Sequence, residues 1–317
     1  MKFKFFILLF FILFFAFGFQ GRILAQSRAG ITVSPFIIEE VVSPGQSFTK
    51  EIILTNNSDE ERIFYIYLQD FRAKEESGEI LLLPAGSEKF SLIGWLEFPE
   101  ERIEFAPKES RQVSVNFHIP ERAAAGSRYG AIIFGSEPLK FILQEDQDGV
   151  FASFGHEVGV LVFFYSSRGA IEEAKIQEFR SDKAYYYTPF KVNFIGRIEN
   201  LGNVYIEPVG IIKIENMFGK EVAVLPFNQE GLKVLPETIR RFEESWQGNF
   251  GFGRYSASLF VNFGTSIHQG GTGTRTIFAK AFFWILPWKT IVLGLIFIVL
   301  FVCFFLKKYK KINLKNT

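Results

Sequence analysis

The sequence contains few of the residues that build disulfides, metal sites and catalytic centres. Its 317 residues include one cysteine, Cys303, and three histidines, His118, His156 and His268. One cysteine cannot form an intramolecular disulfide, and its place in an apolar run excludes an exposed thiolate zinc site or cysteine nucleophile. None of the histidines has a metal-ligand spacing. We therefore expect burial of apolar side chains to stabilise the fold, and we predict no enzyme, metal or cofactor.

The charges are balanced, with 35 Lys+Arg against 34 Asp+Glu. A net charge of +1 provides no field that would attract nucleic acid, so no nucleic-acid partner is predicted. Short acidic runs lack the motif that a pair of catalytic carboxylates would need, and we interpret them as solvated loops. Two polar turns, at residues 146–149 and at His268, are interpreted as hairpin tips, because neither matches a calcium or phosphate loop. The acidic runs lie at residues 39–40, 59–61, 75–76 and 172–173.

Both ends of the chain carry apolar segments. Residues 1–25 begin with two lysines and an apolar stretch, which is typical of a secretory signal peptide; an uncleaved signal anchor is the alternative. Residues 287–307 are predicted to span a membrane, with Trp284 and Trp288 at the outer end. Lys307 and Lys308 begin a basic cluster, so the positive-inside rule places residues 308–317 in the cytoplasm. The pattern predicts a single-pass cytoplasmic-membrane protein with its bulk outside.

Between these segments the chain has the pattern of β-strands. In residues 111–119, RQVSVNFHI, apolar and polar side chains alternate strictly, which indicates a half-buried strand. Turn residues separate many such short runs, as at residues 43–46 and 56–61. No long amphipathic helical pattern competes with them. The sequence therefore predicts an all-β fold of the sandwich or barrel type.

A repeat divides this β region in two. The phrase SRYGAIIFG at residues 127–135 recurs as GRYSASLFV at residues 253–261. Three further correspondences occur in the same order, which predicts two copies of one domain at residues 26–169 and 170–286. In immunoglobulin-like domains a tyrosine near the start of strand F bonds back to the chain, and a cysteine follows two residues later.

Tyr129 and Tyr255 fit that tyrosine corner, with Ala131 and Ala257 at the inward cysteine position. The prediction is thus two tandem immunoglobulin-like β-sandwich domains. The repeat also predicts that residues 274–284 form the last strand of the second domain, which leaves a very short linker to the membrane helix.

The first domain resembles the N-terminal domain of WxL-interacting proteins. The resemblance rests on the Pro-Gly turn before the first strand, on Trp95, on the turn at Pro107 and on the run from Ile119 to Gly130. That family consists of Gram-positive surface proteins with a signal peptide, two immunoglobulin-like domains, one transmembrane helix and a basic tail. The resemblance implies peptidoglycan binding by the first domain and protein binding by the second, whose sequence shows no distinctive match.

Three function classes follow. The favoured one is a membrane-anchored surface protein that binds a cell-wall polymer or an exported protein. The alternatives are a pilus-chaperone-like or secretion/assembly accessory protein that acts by strand pairing with exported subunits, and an enzyme or an enzyme's accessory subunit. The candidate partner-binding residues are Trp95, the long loop at residues 69–95, and three exposed aromatic residues, Tyr185, Tyr186 and Tyr187.

Overall fold

A computed structural model describes residues 30–136, 157–166, 168–265 and 273–313. A first group of strands ends at Ser166, and a 3₁₀ turn at Ile93–Trp95 interrupts it. Its members are β1 (Ile31–Ser34), β2 (Ile37–Val41), β3 (Ser47–Asn56), β4 (Arg62–Ala73), β5 (Ile80–Leu83), β6 (Leu96–Glu97), β7 (Arg102–Phe105), β8 (Ser110–His118), β9 (Gly126–Gly135) and β10 (Glu157–Ser166).

A second group of strands is followed by helix α1 (Trp288–Asn313). The strands are β11 (Ala174–Ser181), β12 (Tyr185–Tyr187), β13 (Phe190–Asn200), β14 (Val209–Glu215), β15 (Glu221–Phe227), β16 (Ile239–Gly248), β17 (Gly253–Phe263) and β18 (Arg275–Leu286). Among the described strands, each joins a sheet made only of members of its own group. The domain boundary expected between residues 169 and 170 falls in the connection from β10 to β11.

Each group forms a two-sheet sandwich with the same topology. The first has sheets of order β1-β3-β8-β6 and β2-β10-β9-β4-β5, with β7 added to β4; the second has β11-β13-β16 and β12-β18-β17-β14-β15. In both, the second strand leaves the sheet of the first and pairs in parallel with the last strand, β2 with β10 and β12 with β18. This arrangement is that of immunoglobulin-like sandwiches. The predicted all-β fold class is confirmed.

Aromatic side chains fill the space between the sheets. In the first sandwich the Phe117 ring lies 5.1 Å from Phe48 and 5.0 Å from Phe164, between centroids. In the second, Phe283 lies 5.7 Å from Phe194 and 6.2 Å from Trp246. Burial of each such side chain stabilises the fold by roughly 1.5–3 kcal/mol. The alternation predicted for residues 111–119 is confirmed, because the apolar positions of β8 are buried.

Two buried asparagines close corresponding turns. Asn56 and Asn200 end β3 and β13, and both are fully buried. The Asn200 Nδ2 donates to the carbonyls of Val204 and Val234 at 2.7 and 3.0 Å, while its Oδ1 accepts from the Gly202 N–H at 2.9 Å. Asn56 makes the same three types of bond with its own neighbours. One amide therefore satisfies three backbone groups at the same place in each copy.

The two predicted tyrosine corners differ because the repeat is shifted by one residue. Gly126 and Gly253 both begin their strands with positive φ, at 102° and 89°. Tyr129 lies three residues after its glycine, whereas Tyr255 lies two after. A one-residue shift turns a strand side chain to the opposite face. Tyr255 faces the core as predicted, and its hydroxyl accepts a hydrogen bond from the Phe252 N–H at 3.3 Å.

Tyr129 instead faces outward from the sandwich. It pairs with Phe163 across the strands, whereas the neighbouring Phe164 points into the core. The Tyr129 ring packs 5.0 Å from Phe71, and no hydrogen bond of its hydroxyl is found among the described residues. Ala131 lies on the same face of β9, where it pairs with Leu161; it is fully buried, but not between the two sheets as predicted. Ala257, beside Tyr255 in the second core, does occupy the inward position.

The last strand runs almost directly into the helix. The predicted strand at residues 274–284 is confirmed as β18, and Pro287 alone separates it from α1. The segment Trp288–Lys307 has a mean hydropathy of 2.8 and is long and apolar enough to cross a membrane. Trp284 belongs to β18 and Trp288 begins the helix, while Lys307 ends the apolar segment and Lys308 continues the helix. The signal peptide, the turn at residues 146–149, His156 and His268 lie outside the described residues.

Candidate functional site

The two sandwiches meet through a buried junction. From the second sandwich, the Tyr205 ring lies 5.5 Å from Phe163, and Leu235 is buried in the core of the first. The Ser127 N–H donates to the Asn203 carbonyl at 2.9 Å, and the Tyr205 N–H donates to the Ser127 hydroxyl at 3.0 Å. Apolar burial combined with backbone hydrogen bonds sets the orientation of one sandwich against the other.

A lysine links both sandwiches at this junction. The Lys233 Nζ donates to Glu39 of the first sandwich at 2.7 Å and to Glu207 of the second at 2.6 Å. Its side chain is only 14% exposed and lies 5.3 Å from the centroids of the Phe163 and Tyr205 rings. Burial lowers the pKa of Lys233, but the two carboxylates outweigh it and the net shift is upward. The ammonium is thus held charged between two acids.

The long segment at residues 69–95 is a second contact and not the free loop that the sequence predicted. It completes β4 and forms β5, and the hairpin between them reaches the second sandwich. The Glu76 carboxylate accepts hydrogen bonds from Nε and one terminal nitrogen of Arg197, and its backbone carbonyl accepts from the Arg241 N–H at 2.8 Å. Lys89 adds an ion pair with Glu237 at 2.5 Å. This hairpin braces the junction through Glu76, whereas Glu75 and Ser77 beside it remain exposed.

An apolar trough remains open on the outer face of the first sandwich. Its walls come from β2 and β5 and its floor from β9 and β10. Phe36, Ile37 and Ile80 are 62%, 48% and 43% exposed. A Cβ at Gly159 would lie 2.9 Å from the Ile133 side chain, so a larger residue at this position would make the trough shallower. The trough consists of Phe36, Ile37, Ile80, Leu82, Ile133, Val158, Gly159 and Leu161.

The trough opens into a groove of about 550 Å³ between the sandwiches. Ile37, Ile80 and Leu161 line both. The groove is also lined by the cations Lys233 and Arg240 and by the acids Glu39, Glu207 and Glu230. Burial lowers the pKa of Arg240, whose guanidinium donates to the Lys233 carbonyl at 2.7 Å. The trough is therefore lined by apolar residues, whereas the groove that continues it has charged residues in its lining.

A sheet edge runs beside the trough. Strand β10 pairs with β2 only from Leu161 to Tyr165, whereas it pairs with β9 along its whole length. Among the described residues, no strand pairs with positions 157–160 of β10 on the side away from β9, although β1 approaches β10 without pairing with it. Unpaired backbone groups on an edge strand can accept another strand, with alternate side chains entering adjacent pockets. Val158 and Gly159, on this edge, also line the trough.

The predicted aromatic site on β12 is only partly exposed. Tyr185 and Tyr187 are each 57% exposed, but Tyr186 is 4% exposed, so its prediction as an exposed residue is wrong. Tyr186 points into the second core, and its hydroxyl donates to Asp182 at 2.5 Å. Burial together with that carboxylate raises the pKa of Tyr186 to about 12. Trp95 is half-buried in the 3₁₀ turn, 5.9 Å from the Arg128 guanidinium, and lies apart from the trough.

The parts of the chain that the structure describes contain no cluster of three His, Cys, Asp or Glu side chains able to hold a metal ion. His118 is exposed near Glu97, as a solvent-facing strand residue should be. Cys303 lies exposed on α1. The absence of enzymatic activity stays a prediction.

The residues that build the junction and trough were not found from the sequence. Glu39 and Lys233 are 194 residues apart, and Glu76 and Arg197 are 121 apart. Such pairs leave no local pattern, because their partners are set by the packing of two separate sandwiches. The one available signal was ILLL at residues 80–83, an apolar run inside a segment otherwise rich in charge.

No protein-family model matches the sequence, and no curated protein matches it either. Solved structures with similarity include the class 5 fimbriae chaperone CfaA, which is 14% identical over 72% of this chain and 91% of that chain, with a TM-score of 0.36. The CupB2 chaperone of Pseudomonas aeruginosa is 10% identical over 78% and 98%, with a TM-score of 0.35. A protein of unknown function from Porphyromonas gingivalis is 10% identical over 80% and 99%, with a TM-score of 0.28. Similarity at this identity concerns the fold alone.

Proposed function

We propose that this chain is a membrane-anchored, non-enzymatic protein that binds an extended segment of an exported protein. The observation that carries the proposal is the edge of β10 at residues 157–160, which no described strand pairs with on the side away from β9, beside the apolar trough. An incoming strand would bond to the main chain of β10 and place alternate apolar side chains in the trough. This is strand pairing with an exported polypeptide, the alternative that the sequence left open.

The fixed junction supports this proposal. The trough lies on the first sandwich, while the groove that continues it is walled by both. Tyr205, Lys233 and the hairpin at Glu76 hold these walls together, so the site is formed before a partner arrives. A preformed site loses less conformational entropy on binding than a flexible one.

Membrane attachment is part of the same proposal. None of the residues in the apolar segment Trp288–Lys307 is buried against the sandwiches, as expected of a lipid-facing helix. With the basic residues after it on the cytoplasmic side, both sandwiches lie outside the membrane. Binding to a cell-wall polymer, which the resemblance to WxL-interacting proteins implies, has no feature of the site in its favour and becomes an outcome of the test.

The test uses the full chain in detergent micelles and a library of short peptides. Half of the peptides alternate apolar and polar residues, and half have the same compositions with a central proline, which cannot complete a strand ladder. We expect enrichment of the alternating peptides. Ile37→Asp in the trough should abolish the enrichment, whereas Val224→Asp on the second sandwich should not; the two side chains are 48% and 46% exposed.

Two results would overturn the proposal. One is the absence of enrichment over the proline-containing peptides. The other is retention of the wild type on purified cell wall, equal for Ile37→Asp, without any peptide preference, which would favour polymer binding. Gly159→Val, which fills the floor of the trough, provides a second variant if Ile37→Asp does not fold.

A further inference from the structure

One end of the second sandwich lies level with the start of the helix. Gly253 at the start of β17 pairs with Ile285, and a Cβ at Gly251 would lie 2.9 Å from the Ile285 side chain. The Met217 sulfur lies against Gly253, and the Thr188 N–H donates to the Leu286 carbonyl at 3.3 Å. The connections at residues 216–220, 248–253 and 188–189 therefore surround the point where the chain enters α1.

These connections expose large apolar side chains to an unusual degree. Phe218 is 83% exposed, Phe250 69%, Phe252 55% and Met217 49%. Tyr187, at 57%, and Trp288, at 47%, lie at the same end. We call this set the aromatic rim. Soluble surfaces rarely group so many exposed apolar residues unless the patch contacts a partner or a membrane.

The connections at the rim carry cations and no carboxylate, whereas Glu215 and Glu221, which flank the first connection, both pair with Lys213. Residues 216–220, 248–254 and 287–289 contain no Asp or Glu, but they include Lys220, Arg254 and Lys289. Aromatic residues with lysine and arginine are the composition that favours the headgroup region of a bilayer, where the ring is partly buried and the cation meets phosphate. The position of these aromatic and cationic residues beside the start of the apolar helix α1 therefore favours lipid over a protein partner.

The length of the helix places the bilayer surface at this level. The 20 residues of Trp288–Lys307 extend over about 30 Å, the thickness of a hydrocarbon core. Because Pro287 is the only residue between β18 and Trp288, the end of the second sandwich must lie at the level of the headgroups.

We propose that the aromatic rim is a lipid-binding surface, with Phe218, Phe250 and Phe252 inserted among the headgroups. The second sandwich thus rests on the membrane as well as being tethered to it, and it cannot swing freely about Pro287. This inference depends on the membrane anchoring in the proposed function.

The test places single cysteines in the full chain carrying Cys303→Ser, reconstituted in lipid nanodiscs. Phe218→Cys, Phe250→Cys, Val224→Cys and Ile291→Cys are each labelled with an environment-sensitive fluorophore. Lipids with a nitroxide at headgroup level are then compared with unlabelled lipids. We expect positions 218 and 250 to lose most of their emission and position 224, on the side of the sandwich, to keep it.

The label at position 291 separates the two proposals. If it is not quenched, the helix is outside the bilayer and the membrane anchoring itself fails. If it is quenched while 218 and 250 are not, anchoring stands and the lipid-binding rim is wrong. If unlabelled Phe218→Cys forms a disulfide between two copies of the chain, and the label at position 218 is not quenched by lipid, the rim contacts a second copy. That result would also overturn the inference.

Discussion

The Arg197 Nε donates to Oε2 of Glu76 at 2.7 Å, and a second guanidinium nitrogen bonds the other carboxylate oxygen. Both side chains are about one-third exposed, at 29% and 32%, and they belong to different sandwiches. Two parallel hydrogen bonds give an arginine–carboxylate pair directional as well as electrostatic character. The hairpin of the first sandwich is therefore fastened to the middle strand of a sheet in the second.

Loss of this pair should loosen the hairpin locally. Glu76→Gln removes the charge, and we expect exchange of the Arg241 amide, which donates to the Glu76 carbonyl, to rise about fivefold, as loss of roughly 1 kcal/mol implies. Amide exchange of the full chain by mass spectrometry measures it. Glu79→Gln is the control, because Glu79 pairs with Lys74 inside the same hairpin. Equal effects of the two variants would contradict the bracing role.

The same pair makes the junction sensitive to acid. The hydrogen bond from Arg197 lowers the pKa of Glu76, although burial opposes it. A lowered folded-state pKa means that the contribution is complete above the unfolded value of 4.5 and is lost as pH falls through the folded value. Protection of the Arg241 amide, corrected for intrinsic exchange, should thus fall as the pH is lowered below 4.5 and through the folded-state pKa of Glu76. Glu76→Gln should remove that pH dependence, and a wild-type profile in this variant would assign it to other groups.

Substitution of Asn200 should lower the stability of the second sandwich more than most other substitutions there. Asn200→Ala leaves two carbonyls and one N–H without a partner in a buried turn, and we expect a loss of about 2–4 kcal/mol in the free energy of unfolding. Urea unfolding followed by tryptophan fluorescence measures it, since Trp246 lies in the affected core. Asn262→Ala is the control, because the Asn262 side chain is exposed and its amide oxygen accepts a hydrogen bond from the Thr276 hydroxyl. A loss no larger than in this control would show that the turn tolerates the missing amide.

Gly126 should be required for contact between the sandwiches. It has φ of 102°, and a Cβ there would lie 2.4 Å from the Asn203 carbonyl oxygen. Gly86 also has positive φ, at 76°, but a Cβ there would meet nothing within 4 Å. Alanine at either site strains the backbone, but only Gly126→Ala also collides with Asn203 of the second sandwich. Gly126→Ala should therefore open the junction and make residues 168–173 accessible to protease, whereas Gly86→Ala should not. Equal cleavage of Gly86→Ala would assign the effect to strain.

Most of the fold could be predicted because its signals are local. The alternation in RQVSVNFHI, the turn residues and the repeat were enough to place two sandwiches in series and to identify β18 as a strand. The tyrosines show where that reasoning ended. SRYGAIIFG and GRYSASLFV match by letter, yet a single extra residue after Gly126 turns Tyr129 and Ala131 to the outer face. Sequence similarity between two short segments does not determine which face of the strand each side chain occupies.

The candidate site could hardly be predicted at all. Tyr186 looked equivalent to Tyr185 and Tyr187, but parallel pairing of β12 with β18 sends the middle residue into the core. The hairpin around Glu76 looked like a free loop because its partners, Arg197 and Arg241, belong to the other sandwich. The trough requires β2 and β5 to lie on opposite sides of one sheet, which no local pattern encodes.

The single residue between β18 and α1 has a mechanical consequence. Tension on the helix acts along the axis of β18, which pairs with β17 over eleven positions and with β12 over three. A load in that direction must shear these hydrogen bonds together, whereas a load across the strands would unzip them one at a time. The attachment of the second sandwich to its helix therefore resists tension along the axis of β18.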